Sequence, residues 1–209
     1  MYKILQLFID FIFPPNKEEI ELRSISKIDL YNKYKNTNTT EFPFIYSIFT
    51  YKDPVIKELI WQIKYRRSRS AVSCAGYAIY RELIKLNLNN TEKILLIPIP
   101  NSKSRKRERG YNQCELIVDE VLKNDNENRF IKDFKLLIRV KDIEKQTHKN
   151  REDRLNNSEN IFKLNGKIKE NSVIVIIDDV TTTGSTLLEA RKTFLKAGFT
   201  DIKAIALAH

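Results

Sequence analysis

The sequence predicts an α/β fold built on a parallel sheet, with a helical appendage at its N-terminal end. Three observations carry this. Short, wholly apolar runs such as Lys93–Ile99 (KILLIPI) and Val173–Ile177 (VIVII) have the pattern of strands covered on both faces, as parallel strands are. Between them lie segments with apolar residues at i, i+3, i+4 and i+7, the stripe of a helix packed on a sheet. The two kinds of segment alternate, which implies right-handed crossovers.

Each element has its own justification. In Met1–Phe13, Leu5, Phe8, Ile9 and Ile12 form an amphipathic stripe. Gln6 and Asp10 interrupt the apolar run and Pro14-Pro15 stands where a small-residue cleavage site would be, so a helix docked on the protein is expected rather than a signal peptide. Docking on a membrane surface is the alternative, with Lys3 alone as a cation on the polar face. Lys17–Tyr34 reads as charged helix and Asn36–Thr40 (NTNTT) as a polar linker, which makes residues 1–40 an appendage and 41–209 the main domain. Phe44–Tyr51, aromatic and β-branched, reads as a strand. Asp53-Pro54 is an N-cap followed by proline at the first helical position, opening a helix with Ile56, Leu59, Ile60 and Ile63 on one face and Lys64, Arg66, Arg67 and Arg69 at its end. Trp61 is expected in the core. Val72 to Leu86 carry a second stripe. After the strand at Lys93–Ile99 come a basic loop, Asn101–Gly110, and a helix, Gln113–Lys123, whose stripe includes Cys114. Phe134–Val140 reads as a strand, Lys141–Asn160 as a long polar loop, Ser185–Ala197 as a helix and Asp201–Ala208 as the last strand.

Composition removes several classes of function. The chain has 209 residues, with 37 Lys+Arg against 27 Asp+Glu and a net charge of +10. Cys74 and Cys114 lie far apart, and only His148 and His209 are histidines, so neither a disulfide framework nor a Cys- or His-based zinc site is expected. A reducing, cytoplasmic setting follows. No apolar run reaches the roughly 18 residues of a membrane span. The positive charge raises the expectation of polyanion contact.

Val173–Thr186, VIVIIDDVTTTGST, is the informative stretch. An apolar strand runs into Asp178-Asp179, then a loop of small hydroxyl residues, then a helix. In open α/β sheets ligands bind beyond the carboxyl ends of the strands. Thr182, Thr183, Gly184, Ser185 and Thr186 can aim backbone N–H groups and hydroxyls at one anion, which the positive end of the following helix also favours. Two carboxylates beside a phosphate cradle need a reason, and ribose supplies one. The acids accept hydrogen bonds from the 2′- and 3′-hydroxyls and stabilise positive charge at the anomeric carbon.

This stretch resembles the signature of the type I phosphoribosyltransferases, whose loop binds phosphoribosyl pyrophosphate. Leu96–Leu116, with its P-x-P strand end, basic loop and Arg109-Gly110-Tyr111-Asn112-Gln113, is similar to the ComF family of competence-associated, phosphoribosyltransferase-like proteins. So are Tyr51–Tyr65, ending LIWQIKY, and the spacing of Arg139, Gln146, Arg154, Asn157 and Phe162; the likeness covers about residues 45–209. It implies a type I phosphoribosyltransferase-like fold and a Mg²⁺-dependent transfer in which the substrate carries the ion. Asp178 and Asp179 would then be catalytic, and Thr182–Thr186 would hold the 5′-phosphate. Asn101, Lys103, Arg105 and Arg109 would hold pyrophosphate. Lys141–Asn160, with Gln146 and Arg154, would be a hood over the substrate. His148 is left outside the catalytic set. Many ComF-like proteins begin with a four-cysteine zinc module, but residues 1–45 contain no cysteine, so no zinc is expected.

Three functions compete. The first is a phosphoribosyl transferase with an unassigned acceptor. The second is a non-catalytic adaptor of DNA uptake that binds a ribosyl phosphate or nothing. The third binds single-stranded nucleic acid through the basic clusters. The resemblance adds competence, single-stranded DNA and a DNA-uptake helicase as expected associations.

Overall fold

The structure, a computed structural model, describes residues 14–39, 42–86, 93–140, 161–166 and 173–209. Two short helices open it, α1 (Lys17–Ser24) and α2 (Lys27–Tyr34). Ser26 separates them, because its hydroxyl accepts from Asp29 N and restarts the helix as an N-cap. Strands β1 (Lys35–Thr39) and β2 (Ile45–Phe49) follow, then α3 (Pro54–Trp61), a π-helical turn at Gln62–Arg66, and α4 (Arg69–Lys85). Next come β3 (Ile94–Pro98), α5 (Lys103–Arg109), α6 (Gln113–Asn124), β4 (Phe130–Lys132) and β5 (Leu137–Arg139). The chain ends with β6 (Phe162–Leu164), β7 (Ile174–Val180), α7 (Ser185–Lys196) and β8 (Ile202–Ala208).

The main sheet has six strands in the order β1-β2-β8-β7-β3-β4. Its pairs are parallel except β1 with β2, and β5 and β6 form a separate antiparallel pair. The fold is therefore mixed α/β around a mostly parallel sheet. Ile174–Ile177 are fully buried and alternate between two cores. Val175 and Ile177 pack with α3, α4 and α6 on one face, and Ile174 and Ile176 with Leu187, Ala190 and Phe194 of α7 on the other. Each such side chain contributes about 1.5–3 kcal/mol on burial.

After β3 the chain turns outward to β4, and after β7 it turns the opposite way to β8. The loops leaving these two neighbouring strands diverge, and the crevice between them is the sheet's topological switch point, the usual ligand position in such folds. Residues 17–39 supply the outermost strand β1 and put Leu22, Leu30 and Tyr31 into the larger core. Tyr31 Oη donates to Glu82 of α4 at 2.5 Å.

Several expectations are corrected. Asn36–Thr40 was expected to be a linker, but Lys35–Thr39 is an edge strand, held by backbone pairing to β2 rather than by apolar side chains. Asn101–Gly110 was expected to be a loop; Lys103–Arg109 is a helix capped by Ser102, whose hydroxyl accepts from Arg105 N. It has no apolar stripe, so periodicity could not reveal it. β4 is three residues long, too short for alternation to register. The strand expected over Phe134–Val140 shrinks to Leu137–Arg139 and lies outside the main sheet. Trp61 is 42% exposed rather than in the core, because Ile56, Leu59, Ile60 and Ile63 take the inner face of its helix. The helix expected at Met1–Phe13 lies outside the described residues.

Candidate functional site

The site forms where β7 ends. Asp178 and Asp179 are its last residues but one, both nearly buried. Asp178 Oδ1 accepts from Asp179 N at 2.9 Å and from the Cys114 thiol at 3.7 Å. Asp179 Oδ1 accepts from Val180 N at 2.7 Å. Asp179 Oδ2 accepts from Gln113 Nε2 at 3.0 Å and pairs with Lys64 Nζ at 3.2 Å. Burial, and then the adjacent Asp179 carboxylate, push Asp178 up to about 7. The Lys64 ammonium beside Asp179 offsets part of the pair's negative charge. Burial, reinforced by the two carboxylates, also pushes the Cys114 thiol well up, so it stays protonated and donates.

Arg109-Gly110-Tyr111-Asn112-Gln113 makes this arrangement possible. Gly110 ends α5 in the left-handed region, φ 74°. Tyr111 Oη donates to Ile63 O at 2.7 Å and so pins the π-helical turn that presents Lys64. Asn112 does two things: its Oδ1 caps α6 at Cys114 N, and its Nδ2 donates to Ile99 O at 3.1 Å, tying the helix to the end of β3. Gln113 turns its Nε2 to Asp179 while its Oε1 accepts from Arg109 Nη1 at 3.0 Å and from Asn101 Nδ2 at 3.2 Å. Gln113 is thereby the relay between the basic helix and the acid pair.

Beyond Asp179 the ladder with β8 runs one step further, Thr181 N donating to Ala208 O at 3.0 Å. Gly184 then opens α7 at φ 72°, ψ −4° with no side-chain cap. The Thr183 and Ser185 hydroxyls are bonded to each other at 3.1 Å, and Thr182 is exposed. Thr182–Thr186 thus form a turn of hydroxyls and uncapped amides at a helix start, chemistry suited to an anion. A cleft of about 630 Å³ is joined to the acid pair through Lys64, which lines it, while neither acid does. Arg105 and Arg109 of α5 line it together with Lys57, Lys64, Trp61 and Tyr65. Arg109 sits over the Tyr65 ring at 5.2 Å and Arg66 over Trp61 at 4.7 Å.

Among known proteins the chain is similar to the Competence protein ComFC of Bacillus subtilis (strain 168), 33% identical over 152 residues that cover 73% of this chain and 58% of the relative. It is also similar to the Competence protein F of Haemophilus influenzae, 34% identical over 120 residues that cover 54% of this chain and 49% of the relative. This chain belongs to the ComF family. A more distant likeness, 27% over 158 residues, covering 74% of this chain and 67% of the relative, is to the DNA utilization protein YhgH of Salmonella typhimurium. The chain spans about half the length of the first two relatives. No family model matches it.

In this ComF-family chain the residues singled out by sequence fall into three places. Asp178, Asp179, Asn101 and Arg109 share one hydrogen-bonded network through Gln113. Arg105 and Arg109 line the cleft, whereas Lys103 is exposed at the start of α5. Thr182–Thr186 do not line that cleft, and neither do Asp178 and Asp179. Gln146, His148 and Arg154 lie outside the described residues. Sequence reasoning did not assign roles to Lys64 and Gln113. Lys64 was one of four cations ending a helix, and Gln113 one letter of a motif; their positions against Asp179 arise from tertiary packing. Among the described residues no helix is long and apolar enough to cross a membrane.

Proposed function

We propose that this protein binds phosphoribosyl pyrophosphate at the switch point between β3 and β7 and transfers its ribosyl phosphate to a nitrogen nucleophile, with pyrophosphate as leaving group. The observation that supports this best is the buried Asp178–Asp179 pair, followed in the chain by the uncapped helix start at Gly184 and tied to the cleft residues Lys64, by direct pairing, and Arg109, through Gln113. Burial raises Asp178 towards neutrality, so the pair can offer a donor as well as acceptors to a vicinal diol. Hydroxyls and amides of Thr182–Thr186 would take the 5′-phosphate. As the bond from the anomeric carbon to the pyrophosphate oxygen breaks, its electrons go to pyrophosphate, where Arg105 and Arg109 meet the growing charge. The carboxylates face the positive charge left on the sugar, and the new carbon–nitrogen bond quenches it.

Mg²⁺ enters as part of the substrate. Among the described residues the clustered buried donors are two carboxylates, one already on Lys64, and a protonated thiol, too few oxygens for a six-coordinate ion. A diphosphate supplies the rest. Relatives are named competence proteins and a DNA utilization protein, and we propose that setting for this chain.

Calorimetric titration of the folded chain with phosphoribosyl pyrophosphate and Mg²⁺ tests this. Saturable heat is expected, lost in Asp179→Asn; no heat at millimolar ligand overturns it. A second reading, single-stranded nucleic acid on α5, is favoured by the exposure of Arg105, Lys106 and Arg107 along one short helix. Steep weakening of single-strand affinity with salt supports it, and a flat salt dependence removes it.

A further inference from the structure

Lys64 stands on the wall between the two halves of this site. Its ammonium pairs with Asp179 at 3.2 Å, yet the residue also lines the cleft that holds Arg105 and Arg109. Its side chain is 19% exposed, open to the cleft rather than sealed behind the acids. The backbone that carries it is a π-helical turn, Gln62–Arg66, ending at Arg67 in the left-handed region with φ 50°. Such turns are uncommon and concentrate at functional positions. Tyr111 Oη anchors the turn at Ile63 O, one residue before Lys64, so the backbone is held while the flexible four-carbon stem is free to swing. Asp179 does not depend on Lys64 alone, since Gln113 Nε2 and Val180 N also donate to it.

We propose that Lys64 is an exchangeable counter-ion that couples the sugar subsite to the pyrophosphate subsite. In the ligand-free protein it neutralises the acid pair. When a vicinal diol takes the Asp179 carboxylate, the ammonium is released into the cleft and joins Arg105 and Arg109 on the diphosphate. Lys57 adds a further cation there, and Glu18 and Glu58 are the acids on the cleft wall, Glu58 being held by Gln62 Nε2 at 3.0 Å. The sugar phosphate and the pyrophosphate should then help each other bind, although both are anions. Coupling of this kind is reciprocal and appears equally in either ligand's affinity. This rests on the ribosyl-binding reading above and adds Lys64 to it as a positioning residue.

The test uses ribose 5-phosphate and inorganic pyrophosphate as separate probes, by calorimetry on the whole chain, in EDTA so that no ion bridges them. In the wild type, saturating ribose 5-phosphate is expected to tighten pyrophosphate binding at least about fivefold. In Lys64→Met that enhancement disappears, while ribose 5-phosphate alone binds as tightly as before or tighter, having no ammonium to displace. A merely structural lysine would weaken both ligands together. Lys64→Arg, which keeps the charge, retains part of the enhancement and serves if Lys64→Met does not fold. Both ligands binding the wild type independently, or enhancement persisting in Lys64→Met, overturns the counter-ion proposal alone. Neither ligand binding the wild type overturns this proposal, and the ribosyl-binding reading falls with it only if phosphoribosyl pyrophosphate with Mg²⁺ also gives no heat.

Discussion

The loops leaving β3 and β7 are neighbours at one edge of the sheet, yet they are built in opposite ways. The end of β7 is buried, with Asp178, Asp179, Thr181 and Gly184 all packed inside. Both Asp179 oxygens and Oδ1 of Asp178 are bonded to named donors, and Gly184 sits against Phe42 and Ile45. The β3 loop carries α5, a seven-residue helix without a buried residue, whose cations reach solvent or line the cleft. Catalytic stabilisation by charge requires groups already oriented before the ligand arrives. Acids next to phosphate repel it unless they are held and partly neutralised, so the acid side needs the rigid frame. Cations attract the ligand from a distance and tolerate mobility. The difference teaches that substitutions in the β7 loop should be felt in folding, and those in the β3 loop in binding alone.

The sharpest way to break that contrast is Gly184→Ala. A Cβ there would lie 2.9 Å from Phe42 Cδ2 and 3.1 Å from Ile45 Cδ1, at φ 72°. Left-handed backbone and overpacking together should cost about 2–4 kcal/mol, read from urea unfolding. Gly198→Ala is the control: its φ is 90° but nothing lies within 4 Å of the added carbon, so only the backbone cost should appear. Equal losses at both glycines would show that the β7 loop is no more tightly framed than an open turn.

Asp178→Asn comes next. The folded protein holds the Asp178 proton up to about pH 7, whereas the unfolded chain releases it near its ordinary value of 3.8. Between those values the folded state binds more protons, so this group's contribution to stability falls as pH rises, then levels off above 7. Asparagine has no charge to bury. The variant should match the wild type near pH 4 and exceed it at pH 8 by at least about 2–4 °C in Tm, the shift that 1 kcal/mol gives in a chain of this size. A variant less stable than the wild type at pH 8 would mean that the carboxylate is welcome there and that Lys64 and Gln113 more than offset its burial.

How far the sequence shows this depends on which force shapes each element. β3, β7 and β8 were legible because burial on both faces leaves uninterrupted apolar runs, and α3 and α4 because each has a capping residue and a stripe. β1 and α5 were not, because they are polar elements held by backbone pairing and a serine cap. At the candidate site, Asp178, Asp179 and the Thr182–Thr186 loop could be singled out because they are contiguous. The relay from Arg109 through Gln113 to Asp179 joins residues 66 apart at its longest step, and its donor geometry exists only once α6 lies against the end of β7. Lys64 reaches the same carboxylate from a third element, through a π-helical turn that has no sequence signature.

The smallest expected effect on folding, and the one that most sharpens the contrast, is Arg105→Ala. Arg105 is exposed, lines the cleft and lies on a helix that buries none of its residues. Surface substitutions away from caps and cores usually move stability by less than about 0.5 kcal/mol, and urea unfolding should show no more than that. Affinity for pyrophosphate should nonetheless fall about tenfold to a hundredfold, the size of one lost charge-assisted hydrogen bond of roughly 1.5–3 kcal/mol. Affinity for ribose 5-phosphate should stay within about twofold, since no pyrophosphate group is present for Arg105 to meet. A parallel loss of both ligands would place Arg105 on the sugar side and dissolve the division of labour between the two loops. A loss of stability without loss of binding would make α5 part of the frame, and the cations of the cleft would then have to be sought among Lys57, Lys64 and Arg109.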